Sequence, residues 1–152
     1  MKDKKVILVL NNLRSRFNVG AIFRTADAAG VEKIYLCGIT PAPPHPKINK
    51  VSLGAEKSIP FEKKATTAWI VNKLKKEGYK IIALEQSKNS QPYTEIKIKD
   101  NIALIVGNEI NGIPKSILDK CDKVIHIPMK GKKESLNVAI ALGICLFDII
   151  NH

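Results

Sequence analysis

The chain has 152 residues, 45% hydrophobic and 26% charged, which is the composition of a globular domain and not of a disordered, coiled-coil or collagen-like chain. No run of 18 apolar residues exists, which excludes a helical membrane span; the basic start MKDKK meets only a five-residue apolar run and then Asn11-Asn12, so no signal peptide and a cytoplasmic location are expected. Lys+Arg exceed Asp+Glu by 25 − 14 = 11, an imbalance that suits a polyanionic partner such as nucleic acid, or simply a solvated lysine-rich surface.

VILVL (6–10) reads as a buried strand. VGAIFRTADAAG (19–30) reads as a helix with Asn18 as N-cap and Gly30 as its stop. KIYLCG (33–38) is a second strand and TPAPPHPK (40–47) a proline-rich loop. From Lys47 to Lys64 the pattern specifies only a short strand at SIPFE. TTAWIVNKLKKEG (66–78) has the spacing of an amphipathic helix ending at Gly78. KIIALEQ (80–86) is a strand, SKNSQPYTE (87–95) a polar loop and NIALIVG (101–107) a buried strand. PKSILDKC (114–121) is a short helix opened by proline, and KVIHIPM (123–129) a strand. SLNVAIALGICLFDII (135–150) is an almost wholly apolar helix with Ser135 as its candidate N-cap.

This alternation predicts one α/β domain over 1–152, with a mainly parallel sheet and helices on both faces. A helix apolar around its circumference must be covered on all sides. That predicts a homodimer through 135–150, the alternative being a central core helix.

Cys37, Cys121 and Cys145 are far apart and odd in number, and read as buried reduced thiols. His45, His126 and His152 are equally scattered, so no metal site is expected, and His126 falls inside a strand as a core residue. The cations are more informative. There are only three arginines, Arg14, Arg16 and Arg24, and all lie within one short stretch. Arginine matches phosphate or carboxylate oxygens bidentately where lysine offers a point charge.

Ligands of open α/β sheets bind beyond the carboxyl ends of the strands. Three loops there carry the unusual residues: NNLRSRFNVG, GNEING and MKGKKESLN. The first leads into a helix N-terminus, where backbone N–H groups favour an anion, with Arg24 in the second turn. The second has Glu109 between Gly107 and Gly112. It is no phosphate-binding P-loop, because Ile113-Pro114 stands where Lys-Ser/Thr is required. The third sets Lys130, Lys132 and Lys133 beside Glu134, Ser135 and Asn137. An amide such as Asn137 within an apolar helix requires hydrogen-bond partners.

Three stretches, NNLRSRFNVGAIFRTADAAGV (11–31), LIVGNEINGIPKSIL (104–118) and HIPMKGKKESLNVAIALGICLFDI (126–149), closely resemble, in order and spacing, the three motifs of the SpoU/TrmH-type RNA ribose methyltransferases of the SPOUT superfamily. The resemblance implies a C-terminal deep trefoil knot, S-adenosylmethionine as co-substrate with no metal, a dimer with the last helix in its interface, and methyl transfer to a ribose 2′-hydroxyl of tRNA or rRNA. It places Arg24, Asn18, Glu109, Ser135 and Asn137 at catalytic positions, and Gly107, Ile127, Met129 and Leu136 along the cofactor pocket. Arg14, Arg16, Lys130, Lys132 and Lys133 are then the expected RNA contacts. Ile110 departs from the glycine the family often has. No extra RNA-binding domain is expected. Arginine stays protonated, so a clamp on the neighbouring phosphate is preferred for Arg24 over a proton acceptor. The alternatives are a non-catalytic RNA-binding protein on the same fold and a base-methylating knotted enzyme.

Overall fold

Two strands built on apolar runs form the centre of the sheet, β1 (Val6–Asn11) and β6 (Ile102–Val106), which pair in parallel and are buried at every residue. Strand side chains alternate between faces. Leu8, Leu10, Leu104 and Val106 therefore enter one core cluster and Ile7, Val9, Ala103 and Ile105 the other. The remaining strands are β2 (Lys33–Cys37), β3 (Phe61–Lys64), β4 (Lys80–Leu84), β5 (Gln91–Pro92) and β7 (Lys123–His126). The order is β3-β2-β1-β6-β4-β7-β5, with every pair parallel. The computed structural model of the protein describes residues 3–152; Met1 and Lys2 of the basic start lie outside the described residues.

Helices cover both faces, as the alternation predicts. One face carries α1 (Arg16–Ala29), α2 (Pro46–Ser52), α3 (Ala55–Ser58) and α6 (Val138–Ile150); the other carries α4 (Thr67–Lys76) and α5 (Lys115–Leu118). No described helix is long and apolar enough to cross a membrane.

Several boundaries differ from the sequence reading. Helix α1 starts three residues earlier than expected (19 − 16 = 3), because Ser15 and not Asn18 is its N-cap: Ser15 Oγ accepts from the Asn18 backbone N–H at 3.1 Å. Arg24 is consequently the ninth helical residue (24 − 16 + 1 = 9), in the third turn rather than the second. Residues 46–58 form α2 and α3, and the strand expected at SIPFE begins only at Phe61. Helix α6 starts at Val138, capped by Asn137 and not by Ser135. Strand β7 ends at His126, so Ile127, Pro128 and Met129 lie outside it. The polar stretch 87–95 contains β5 and a 3-10 turn, Tyr93–Glu95.

Strand β5 lies on the far side of β7 from β4. The segment 85–90 therefore crosses the end of β7. Glu85 N–H donates to Ile125 O at 2.9 Å and Gln86 Nε2 to Ile127 O at 3.1 Å. Ser90 Oγ lies 2.8 Å from His126 Nδ1.

Candidate active site

The loops after β1, β6 and β7 converge as a parallel sheet requires. They enclose a pocket of about 510 Å³, in the size range of small-molecule sites. Asn18 comes from the first turn of α1 that follows the first loop, Gly107 to Gly112 from the second loop, and Ile127, Met129, Ser135, Leu136 and Asn137 from the third. Leu84, Glu85 and Gln86 at the end of β4 close the remaining wall.

The three loops are tied by one directed chain of hydrogen bonds. Asn137 Oδ1 accepts from Ala139 N–H at 2.8 Å and Ile140 N–H at 3.2 Å, which satisfies the open donors of α6. The Asn137 amide nitrogen must then point away, and it donates to Asn18 Oδ1 at 3.0 Å. Asn18 Nδ2 in turn donates to Glu109 Oε2 at 3.1 Å. Glu109 also receives Arg14 N–H at 2.9 Å and Ser15 N–H at 2.9 Å. Each amide has one acceptor and one donor side, so the cap at α6 dictates that position 109 be a pure acceptor. Burial raises the Glu109 pKa, but the donors from Arg14, Ser15 and Asn18 outweigh it and hold the carboxyl below its ordinary value. The anion expected at the start of α1 is thus the protein's own carboxylate.

The second loop is shaped by its glycines. A Cβ on Gly107 would lie 2.4 Å from Gly112 C and 2.5 Å from Gly112 O, so only glycine lets the loop close. Gly112 has φ +67°, and a Cβ there would lie 2.4 Å from Glu85 Oε1. Asn108 fixes the turn: its Oδ1 accepts from Ile110 and Asn111 N–H, and its Nδ2 donates to Asn12 O at 2.8 Å.

All four expected cofactor-lining residues, Gly107, Ile127, Met129 and Leu136, border the pocket, as do Asn18, Glu109, Ser135 and Asn137. Arg24 does not: it is exposed on α1 and makes no side-chain hydrogen bond among the described residues. Arg14 lies on an outer depression next to Glu109 and Ile110. Arg16, Lys130, Lys132 and Lys133 are exposed.

Among the wall residues the sequence reading missed, two carry titratable groups. His126 is half-buried and borders the pocket, not the core. Glu85 does so as well. Burial pushes its carboxyl above the ordinary range, against the opposing Ile113 N–H. The available signal was the acid directly after the apolar run of β4, at a carboxyl end of the sheet. Glu85, Glu109 and Glu134 line the pocket with no lysine or arginine among the lining residues, in a chain of net charge +11. Cys37 and Cys145 are buried and Cys121 partly so, all free, and desolvation raises all three thiol pKa values, to about 11, 12 and 11 respectively. Among the described residues, no three His, Cys, Asp or Glu side chains are grouped to hold a metal ion.

A parallel α/β sheet with this pocket at the junction of its carboxyl-end loops defines a class, and the chain belongs to the SpoU rRNA Methylase family, whose model matches residues 5–147. With the 23S rRNA (guanosine-2'-O-)-methyltransferase RlmB of Vibrio vulnificus (strain CMCP6) it shares 32% identity over 147 residues, 97% of this chain and 59% of that protein. The chain spans about three fifths of the length of the curated relatives it matches. The AdoMet-bound rRNA methyltransferase from Sinorhizobium meliloti superposes with a TM-score of 0.91 at 32% identity, covering 97% of this chain and 56% of that one. The A. aeolicus TrmH/SpoU tRNA modifying enzyme gives a TM-score of 0.88 at 31% identity, covering 99% of this chain and 76% of that one.

Proposed function

We propose that this chain is a catalytic domain that transfers the methyl group of S-adenosylmethionine to a ribose 2′-hydroxyl of tRNA or rRNA, working in the cytoplasm as a homodimer. The observation that carries this reading is the pocket itself. It is bordered by every residue assigned to the cofactor from the motifs, and its lining carries three carboxylates and no lysine or arginine. That wall fits a ligand bearing a sulfonium and an ammonium group. Leu84, Val106, Ile127, Met129 and Leu136 supply its apolar part, and Glu85 and Glu134 its acceptors. When bound, the sulfonium supplies an already activated methyl group.

The chain's own contribution is alignment, which is worth on the order of 7–11 kcal/mol of a barrier. Glu109, Asn18 and Asn137 hold the three loops in register through their hydrogen-bond chain. Ser135 is on the pocket wall with its helix-capping role taken by Asn137, which frees its hydroxyl for substrate. Arg24 is assigned as a phosphate clamp that orients the reacting ribose, acting from outside the pocket wall. Arg14, Arg16, Lys130, Lys132 and Lys133 meet RNA phosphates, so affinity should fall steeply with salt.

The dimer reading rests on α6. Ala139, Leu142, Cys145, Leu146 and Ile149 are buried, while Ile140, Ile144 and Phe147 form an exposed apolar stripe. The trefoil knot implied by the family resemblance is proposed for the crossing of 85–90 over β7.

The test is incubation with S-adenosylmethionine and RNA from a strain lacking the gene, followed by nucleoside mass spectrometry. A 2′-O-methylated nucleoside is expected. A base-methylated product, or no product from folded protein that binds RNA, overturns the reading.

A further inference from the structure

The chain's single tryptophan is not in the core. Trp69, on the first turn of α4, is 56% exposed. Burying an indole is normally favourable, so an exposed one at the sheet's carboxyl edge calls for an explanation. Lys64 Nζ lies over its ring, 5.1 Å from the centroid. Ile39, 62% exposed, is in the loop after β2, beside the end of β3 that carries Lys64. Its loop is pinned to β3, where Gly38 N–H donates to Lys64 O at 3.0 Å and Lys63 Nζ donates to Gly38 O and Thr40 O.

This surface is rigidly continuous with the pocket. Thr67 Oγ1 donates to Asn11 Oδ1 at 2.6 Å, which ties the start of α4 to the end of β1. Ile39 N–H donates to Asn12 Oδ1 at 3.0 Å, and Asn12 O receives Asn108 of the second loop. Three strand spacings separate β3 from β6 in the sheet order, about 14 Å at about 4.8 Å each. One RNA strand a few nucleotides long would touch both. The charge suits it. Lys64 lies beside the tryptophan; with Lys33 it shares Glu62, and Lys73 further along α4 pairs with Glu77, so three lysines stand against two glutamates.

We propose that Trp69, with Lys64 beside it and the exposed Ile39 in the loop that adjoins β3, is a stacking platform for an unpaired base of the substrate RNA flanking the nucleotide that enters the pocket. Aromatic faces accept any base, and neighbouring lysines hold the adjoining phosphates. This rests on the reading that the chain acts on RNA, and the experiment separates the two.

Because Trp69 is the only tryptophan, intrinsic fluorescence reports on this surface alone. The native chain is titrated at low salt with a mixed-sequence single-stranded RNA of about 12 nucleotides, within the usual footprint of stacking sites. Saturable quenching of Trp69 emission is expected, reversed by salt. In filter binding, Trp69→Ala should weaken affinity about tenfold while Trp69→Phe, which keeps a ring, retains most of it. S-adenosylmethionine affinity by calorimetry should be unchanged in both. Native RNA affinity in Trp69→Ala, or binding without quenching, overturns this inference and leaves the methyltransferase reading standing. No RNA binding by the native chain overturns both. A change in the mass of Trp69→Ala by light scattering would assign the surface to a second copy of the chain and overturn the RNA platform.

Discussion

Glu109→Gln is the substitution that most directly tests the directed hydrogen-bond chain. The two side chains have the same shape, but glutamine must turn an NH₂ toward donors. With Nε2 at the Oε2 position it would face both Ser15 N–H and Asn18 Nδ2; at the Oε1 position it faces only Arg14 N–H. The second orientation is the better one, and the exposed Arg14 N–H is then rehydrated. Asn18 cannot flip to help, because its Oδ1 is held by Asn137, which is held by the α6 cap. One charge-assisted bond of about 1.5–3 kcal/mol is lost and two others weaken to neutral strength. Solvent at Glu109 offsets part of this, leaving a net loss of about 2 kcal/mol. For a domain this size that lowers Tm by about 4–8 °C at neutral pH. The Glu109 pKa is depressed below its ordinary 4.5 in the folded state. Its stabilisation is therefore complete above that value and lost as pH falls through the lower folded value. The Tm gap between native and Glu109→Gln protein should close in acid. Melts followed by circular dichroism across that range provide the assay. Equal Tm values at neutral pH, or a gap that widens in acid, would refute the chain's polarity.

Arg24→Lys should leave stability within about 0.5 kcal/mol, since Arg24 is exposed and makes no side-chain hydrogen bond among the described residues, yet lower single-turnover methyl transfer about 100-fold, with cofactor affinity retained. Native chemistry in Arg24→Ala would remove it from the site. Gly107→Ala drives a Cβ to within 2.5 Å of the Gly112 backbone; a loss of about 1–3 kcal/mol is expected in chemical denaturation, with weaker S-adenosylmethionine binding in calorimetry. Ile144→Glu on the exposed stripe of α6 should convert a dimer to monomer or aggregate in light scattering, and a monomeric native chain would contradict the dimer.

The central strands β1 and β6 were legible because their apolar runs are buried on both faces, a pattern that needs no knowledge of neighbours, whereas the edge strands β3 and β5 carry no such run. The three loops were legible together, not residue by residue, because their order and spacing match a family. Helix starts were less legible. Ser15 and Asn18 both suit an N-cap, and so do Ser135 and Asn137; local preference cannot separate them. What decides is contact across the chain. Asn18 is 5% exposed within the first turn because Glu109, 91 residues away, accepts its amide. Asn137 becomes the cap because Asn18 receives its other side. Glu85 carried no motif, and its place on the pocket wall follows from β4 lying between β6 and β7, an order that adjacency in sequence does not encode. Composition and period determine which segments form strands and helices, since burial on one or both faces is a local demand. The partner of each buried polar atom is a pairing between distant segments, so only the tertiary structure decided that Glu109, Asn18 and Asn137 act as one unit.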